Sequence, residues 1–139
     1  MIQEHINAFL TSPAFAVLGA SSNRAKYGNK VLRCYLQHGK IVYPIHPIES
    51  IIEGLPVLHS IEDLPIEVES ISIITPPPIT ETIVHAAIKK GIKNIWMQPG
   101  AESQVAMQLC RDHHINLLAE GPCILVILGY QDCVDSSGN

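Results

Sequence analysis

The chain has 139 residues, of which 47% are hydrophobic and 16% are charged, and its formal net charge is −4. This composition predicts one well-ordered domain with a single core. The lack of a basic run excludes nucleic acid as the main partner, and no apolar run approaches the roughly 20 residues of a membrane span.

Apolar runs alternate with amphipathic segments through the first half of the chain. Continuous apolar runs predict strands, and apolar residues three and four apart predict helices. Ser60 fits the N-cap of a helical turn, with Asp63 at the capping-box position. In chain order we predict a helix over Glu4–Leu10, a strand over Ala14–Leu18, a helix over Tyr27–His38, a strand over Lys40–Ile45, a connection over Ile48–Leu58 and a turn of helix over Ser60–Leu64.

The second half continues this alternation up to a last apolar run, Ile124–Leu128, which fits an inner strand or a subunit interface. Residues 1–13 are expected to form a helical extension and residues 129–139 a flexible tail. The remaining predictions are a strand over Ser70–Thr75, a helix over Ile79–Lys90, a strand over Ile92–Met97, a helix over Ala101–His113 that buries Val105, Ala106, Leu109 and Cys110, and a strand over Ile115–Leu118.

Strands separated by helices of about a dozen residues predict right-handed crossovers and a parallel sheet. We therefore expect an α/β fold over residues 14–128: a Rossmann-like three-layer αβα domain whose mostly parallel sheet has five or six strands. Ligands of such sheets bind at the carboxyl ends of the strands. In this chain those ends carry Gly19-Ala20-Ser21, His46-Pro47, Thr75-Pro76-Pro77-Pro78, Gln98-Pro99-Gly100 and Glu120-Gly121-Pro122-Cys123.

The first of these ends is a strand, a glycine turn and a helix start, where free backbone amides attract phosphate. Ser21 and Ser22 can donate hydroxyls, and Arg24 and Lys26 can add charge. An ordinary turn with solvated basic residues is the alternative. If phosphate binds here, a valine at Gly19 should block the ligand without disturbing the fold.

Two further ends bear on which nucleotide would bind. A dinucleotide fingerprint needs glycines where Ser21 and Arg24 stand, and a carboxylate near His46 to hold the ribose, so NAD is disfavoured. His46 can contact a ligand or can be an exposed histidine before proline. Three prolines after Thr75 form a rigid apolar surface able to pack on an adenine, and Thr75 can cap the next helix.

An ordered set of motifs resembles the coenzyme A-binding domain family, over roughly Ala14 to Ile127. The chain is similar to stand-alone members related to the nucleotide-binding domain of the succinyl-CoA synthetase α subunit and of NDP-forming acyl-CoA synthetases. The motifs are Gly19-Ala20-Ser21, Lys26-Tyr27-Gly28, Val42-Tyr43-Pro44 with His46-Pro47, Gly54, Ser60-Ile61-Glu62-Asp63-Leu64-Pro65, Ile74-Thr75-Pro76-Pro77 and Trp96-Met97-Gln98-Pro99-Gly100.

The resemblance implies a CoA diphosphate on the Gly19–Ser22 turn and a pantetheine arm running across the strand ends. Relatives often carry Asn-Pro where this chain has His46-Pro47. The residues expected to contact CoA or an acyl-CoA are Gly19, Ala20, Ser21, Ser22, Arg24, Lys26, Gly28, His46, Pro47, Thr75, Pro76, Pro77 and Gln98.

We find no catalytic constellation in the sequence. The synthetases carry a phosphorylated histidine and an ATP-grasp domain that this chain lacks, so binding without chemistry is expected. Possible partners are a second copy of the chain or a separate ATP-grasp subunit. The alternative is an NAD(P)-binding oxidoreductase or redox-sensing module on the same fold.

Four scattered cysteines without a C-x-x-C pair argue against a zinc site and a disulfide framework. The N-terminus lacks the pattern of a signal peptide, so a cytoplasmic location is expected. Cys34 and Cys110 fall on helix faces expected in the core. Cys123 follows a strand end and either is a small buried residue or meets a pantetheine thiol to form a mixed disulfide.

Overall fold

The structure of the protein is a computed structural model that describes residues 2–121 and 123–131. Strands and helices alternate along the chain, as expected. In chain order the elements are α1 (Ile2–Leu10), β1 (Ala14–Leu18), α2 (Tyr27–Gln37), β2 (Val42–Ile45), β3 (Ile51–Ile52), β4 (Leu55–Pro56), a 3-10 turn (Ile61–Asp63), β5 (Val68–Ile73), α3 (Pro77–Lys90), β6 (Asn94–Met97), α4 (Gln104–Asp112), β7 (Asn116–Leu118) and α5 (Ile124–Leu128).

The main sheet has five strands in the order β2-β1-β5-β6-β7, and every neighbouring pair is parallel. Phe15 of β1 is in register with Val42 of β2 on one side and with Ser70 of β5 on the other. The order of strand addition therefore reverses between β1 and β5. The loops that leave these two strands run apart there, which opens a crevice at their carboxyl ends.

Helices cover both faces of the sheet and complete three layers. Ala16 of β1 packs in one core with α3 and α4, whereas Phe15 packs in a second core with α1, α2 and α5. Successive strand residues point to opposite faces, so one strand serves both cores. Trp96 of β6 lies in the second core, edge-on to Phe9 of α1. The predicted Rossmann-like αβα fold is confirmed.

The last apolar run is a helix and not a sixth strand. α5 buries Ile124, leaves Val126 78% exposed, and ends at Gly129 in the left-handed conformation with φ of 78°. Five consecutive apolar residues fit a strand and a short helix equally well, and periodicity cannot separate them. The glycine after the run was the available signal for a helix end.

Helix α4 begins later than predicted and buries a slightly different face. Ser103 is its N-cap and accepts a hydrogen bond from the Ala106 amide. Met107 is buried in place of Val105, which is 58% exposed. A start at residue 104 excludes residues 101–103 from the helix, and packing against the sheet then selects the buried face.

Two smaller features differ from the prediction. The connection over residues 48–58 contains the hairpin β3–β4. Ser60 caps the 3-10 turn as predicted, but the carboxylate that meets its hydroxyl belongs to Glu62 and not to Asp63. Most of the expected tail, residues 132–139, lies outside the described residues, as does Cys133.

Candidate functional site

Two glycines allow β1, β5 and α2 to meet at the crevice. Gly19 follows β1 with φ of +97°, and a Cβ there would lie 2.3 Å from the Ile74 carbonyl oxygen. A Cβ on Gly28 would lie 2.0 Å from the Gly19 carbonyl oxygen. Glycine is required at both positions by backbone contact. The expectation that Gly19→Val would spare the fold is therefore wrong, because the valine would collide with the backbone of Ile74, just after β5, before it reached a ligand.

The loop after Gly19 is held by polar groups of α2. The buried Asn29 donates from Nδ2 to the Ser21 carbonyl at 2.8 Å and accepts at Oδ1 from Arg33 Nε at 2.7 Å. Arg33 also donates to the Arg24 carbonyl at 3.0 Å. Sequence reasoning missed Asn29. The available signal was a polar asparagine in the first turn of the predicted helix, next to the glycine loop. These hydrogen bonds from α2 hold the loop after Gly19 in one shape.

A cavity of about 380 Å³ lies at this corner and is called the phosphate-corner cavity below. Most of the residues predicted to bind the ligand line it. Of the predicted set, Ser22, Arg24, Pro77 and Gln98 do not. The full lining is Gly19, Ala20, Ser21, Lys26, Tyr27, Gly28, His46, Pro47, Ile74, Thr75 and Pro76.

The amino end of α2 forms one wall of this cavity. Lys26 is its N-cap residue, and within this fully described helix no side chain caps the end and no acidic residue stands in the first turn. The uncapped amides and the helix dipole give this wall a positive potential, to which the Lys26 ammonium adds. The wall therefore favours an anion.

Arg24 is directed elsewhere. Its guanidinium Nε lies 3.2 Å from Glu53 Oε2, in the turn of the β3–β4 hairpin. Asn29 donates to the same carboxylate oxygen at 3.0 Å. The charge of Arg24 is thus compensated by Glu53, whereas Lys26 lines the cavity, and phosphate binding by either side chain stays a prediction.

Glu49 does not line the phosphate-corner cavity, but it reaches the loop beside it although it lies beyond Pro47. The Ser22 amide donates to Glu49 Oε2 at 3.3 Å, and His46 Nε2 lies 3.6 Å from the same oxygen. His46 Nδ1 accepts from the amides of Ile48 and Glu49, both at 3.0 Å, which bends the segment back toward the loop. Hydrogen bonding from Ser22 lowers the pKa of Glu49, with help from the nearby His46 and Lys26.

Two further cavities adjoin the phosphate-corner cavity. One of about 320 Å³ shares Tyr27, Thr75 and Pro76 and continues along Pro99, Gly100 and Ala101. The other, of about 500 Å³, shares Gly19, Pro47 and Thr75 and is mainly apolar. It is called the apolar cavity below, and its remaining lining is Leu18, Ile45, His59, Ser60, Ile61, Glu62, Ile79, Thr82, Ile83 and Ala86.

Pro76, and not Thr75, is the N-cap of α3, and no side chain caps this described helix end. Thr75 Oγ1 lies instead 2.9 Å from the hydroxyl of Thr80. Pro76 borders both the 320 Å³ cavity and the phosphate-corner cavity, whereas Pro77 begins α3 and is exposed. Of the proline segment, Pro76 lines the cavities and Pro77 does not.

Gln98 lies beneath the far end of this crevice and is fully buried. Its Oε1 accepts from the Tyr27 hydroxyl at 3.2 Å and from the Ile124 amide at 3.1 Å. The Tyr27 hydroxyl also contacts Cys123 Sγ. Burial, together with this contact, raises the pKa of Tyr27 above its usual range, so the hydroxyl stays protonated.

A separate cavity of about 470 Å³ lies at the opposite, amino edge of the sheet. It faces the carbonyl end of α3 at Lys90 and Gly91, an end that repels anions. The lysine charges near it are engaged, since Lys93 pairs with Glu69 and Lys90 donates to the Glu62 carbonyl. This edge suits a phosphate less well than the corner after β1.

Comparison with known proteins identifies the family. The sequence model described as CoA binding domain matches residues 13–129, which is most of the chain. The chain belongs to the CoA-binding domain family. This membership confirms the resemblance predicted from the motifs.

A curated relative of this CoA-binding domain is the acetate–CoA ligase [ADP-forming] II subunit alpha of Pyrococcus furiosus, 26% identical over 91 residues. The match covers 65% of the chain and 20% of the relative. The chain thus spans about a fifth of the length of the curated relative it matches.

Solved structures with the same fold include stand-alone proteins of similar size. A conserved hypothetical protein from Pyrococcus furiosus has a TM-score of 0.78 and 36% identity, covering 82% of this chain and 97% of that one. A hypothetical protein from Pyrococcus horikoshii has a TM-score of 0.84 and 25% identity, covering 91% and 88%. The dinucleotide-forming acetyl-coenzyme A synthetase 1 of Ca. Korarchaeum cryptofilum has a TM-score of 0.69 and 26% identity, covering 77% of this chain and 25% of that one.

Two features of the described ranges bear on other functions. Among residues 2–121 and 123–131, no three histidine, cysteine, aspartate or glutamate side chains lie close enough together to hold a metal ion. None of the helices in the same ranges is both long and apolar enough to cross a bilayer.

Proposed function

We propose that the protein binds CoA or an acyl-CoA in the crevice between the carboxyl ends of β1 and β5, without chemistry of its own. The observation that carries the proposal is the uncapped amino end of α2, which faces the phosphate-corner cavity at the topological switch point. Family membership supplies the ligand class, because phosphate binding alone would fit many nucleotides.

In this proposal the three adjoining cavities hold the parts of the ligand in order. The apolar cavity takes the adenine, since a purine ring needs flat apolar walls such as Ile79 and Ile83. The diphosphate takes the amides at the start of α2 and the Lys26 ammonium. The pantetheine arm then runs past Tyr27 and Pro76 toward Pro99.

A nicotinamide dinucleotide fits this corner less well. The fingerprint glycines are missing at Ser21 and Arg24, and the carboxylate that does reach the corner, Glu49, accepts a hydrogen bond from Ser22. The carboxylate lies 3.6 Å from His46 at the end of β2, but the Ser22 amide and His46 already engage it, and the missing glycines remain the main argument against a dinucleotide. Titration with NADH and NADPH distinguishes the oxidoreductase alternative from CoA binding.

Partner and location are parts of the same proposal. The curated relative is named as an alpha subunit of a ligase. We infer that a second copy of this chain or a separate ATP-grasp subunit could dock beside the crevice and use the bound CoA. Four cysteines without a framework spacing fit a reducing, cytoplasmic setting.

Calorimetric titration with CoA, acetyl-CoA, NADH and NADPH tests the proposal. CoA or acetyl-CoA should bind with micromolar affinity, and Lys26→Ala should weaken it about fivefold, roughly 1 kcal/mol for a solvent-screened contact with phosphate. Lys93→Ala, which removes an equal charge at the amino edge, is the matched control and should leave the affinity unchanged. Binding of NADH without any response to CoA would replace this function with the nicotinamide alternative.

A further inference from the structure

Cys123, Tyr27 and Gln98 form a cluster beside the crevice, linked to it through Tyr27, and together they suit chemistry that simple binding does not need. Cys123 is half-buried, whereas Cys34 and Cys110 are fully buried in the two cores. Its sulfur contacts the hydroxyl of Tyr27, and the ring of Tyr27 lines both the phosphate-corner cavity and the 320 Å³ cavity. The thiol thus lies beside a residue that lines both cavities, although Cys123 itself lines neither.

The Gln98 carboxamide gives an independent sign of a ligand at this cluster. Its Nε2 is buried and has no hydrogen-bond partner among the described residues. Exchanging its oxygen and nitrogen does not help, because the Ile124 amide is a donor and must face the oxygen. A buried donor without an acceptor costs stability. A ligand carbonyl oxygen delivered at this cluster would supply the missing acceptor.

We propose that Cys123 captures the thiol end of the bound CoA as a mixed disulfide, an inference that rests on the proposed function. A CoA molecule carries an amide carbonyl close to its thiol. Seating that carbonyl on Gln98 brings the sulfur to Cys123. The protein then holds oxidised CoA covalently and releases it on reduction.

The reaction is a thiol–disulfide exchange with a disulfide of CoA. The Cys123 thiolate attacks one sulfur of that disulfide, so a new bond joins Cys123 Sγ to the CoA sulfur and the old S–S bond breaks. The departing thiolate takes up the proton that Cys123 lost. One disulfide is consumed and one is formed, so no other oxidant is required. The Tyr27 hydroxyl has one proton, which it donates to Gln98 Oε1; by turning that proton to the sulfur it can donate to the thiolate, while the Ile124 amide still bonds Gln98 Oε1.

The test uses the full, reduced chain mixed with symmetrical CoA disulfide and followed by intact mass and peptide mapping. We expect one CoA adduct per chain, on Cys123, removed by dithiothreitol. Formation should be about tenfold or more faster than with glutathione disulfide, because prior binding raises the local concentration of the reacting sulfur. Saturating desulfo-CoA, which lacks the thiol, should suppress it.

Matched variants and a second measurement keep the inference separate from the proposed function. Cys123→Ser should form no adduct yet bind reduced CoA by calorimetry like the parent chain, whereas Cys110→Ala and Cys133→Ser should both form the adduct. An adduct on another cysteine, equal rates with glutathione disulfide, or no adduct despite normal CoA binding would overturn the inference alone. Failure of CoA to bind at all would overturn the proposed function as well.

Discussion

At the corner after β1 the chain supplies its own carboxylate where we propose that the ligand phosphates bind. Glu49 accepts from the Ser22 amide, and hydrogen bonding from Ser22 keeps its pKa low, so it is ionised throughout the neutral pH range. A phosphate at this corner meets the positive end of α2 and the negative charge of Glu49 together. Glu49 should therefore lower the affinity for an anionic ligand.

Glu49→Gln should tighten CoA binding by about two- to fivefold, roughly 0.5–1 kcal/mol, because it removes the charge and keeps an acceptor for Ser22. Titration calorimetry at low and high salt measures this, and the gain should shrink as salt screens the charge. Glu67→Gln, at the amino edge, is the control of equal charge. Weaker binding by Glu49→Gln would indicate that the carboxylate contacts the ligand directly, for example at a ribose hydroxyl.

Between elements, the decisive contact joins the start of α2 to the residues that follow β1 and β5. Gly28 lies against the Gly19 carbonyl, and Gly19 in turn lies against Ile74, whose amide donates to Leu18 at 2.8 Å. The amides at the start of α2 reach the crevice only because these backbones are in contact. The same contact explains why the motif Lys26-Tyr27-Gly28 ends in glycine.

Gly28→Ala should lower the free energy of unfolding by about 3 kcal/mol, at the upper end for overpacking, since its Cβ meets backbone and not a movable side chain. Chemical denaturation measures the loss. Gly39→Ala is the control: its Cβ meets open space, and only the strain of a φ of +68° opposes it, about 1 kcal/mol. Equal losses in the two variants would mean that α2 can shift away from Gly19 at little cost.

At the scale of the whole molecule, the proposed ligand contacts segments that are far apart in sequence. The phosphate-corner cavity draws its lining from the loops after β1, β2 and β5 and from the start of α2. A ligand held by all four binds the folded chain and not the unfolded one. Its binding energy is therefore added to the stability of the whole domain.

CoA at about one hundred times its dissociation constant should stabilise the fold by about 2.7 kcal/mol and raise Tm by roughly 8 °C for a domain of this size. Scanning calorimetry over a series of CoA concentrations measures the shift, which should grow with the logarithm of concentration. Lys26→Ala should show a smaller shift at each concentration. An unchanged Tm at saturating CoA would contradict the proposed site.

The sequence by itself determined the order of strands and helices, the parallel sheet and the segments at its carboxyl edge. These follow from local patterns: apolar runs, turn residues and the rule that parallel strands end on one side. The family could also be recognised from the sequence, because its motifs are short segments at characteristic spacings. The observed ends of helices differ from the predicted ends by one to three residues. They differ where a cap residue such as Ser103, and not apolar content, sets the end of the helix.

Only the tertiary structure decided which side chains meet. Glu49 reaches Ser22 through a bend made by His46, and Cys123 meets Tyr27 across 96 residues of chain. Such contacts depend on how loops and helices pack, which no local pattern encodes. Packing likewise made Ile124–Leu128 a helix and brought Gly19, which lines the cavity, into contact with the Ile74 backbone. Sequence can name the residues at the edge of the sheet, but their distances arise only once both cores are packed.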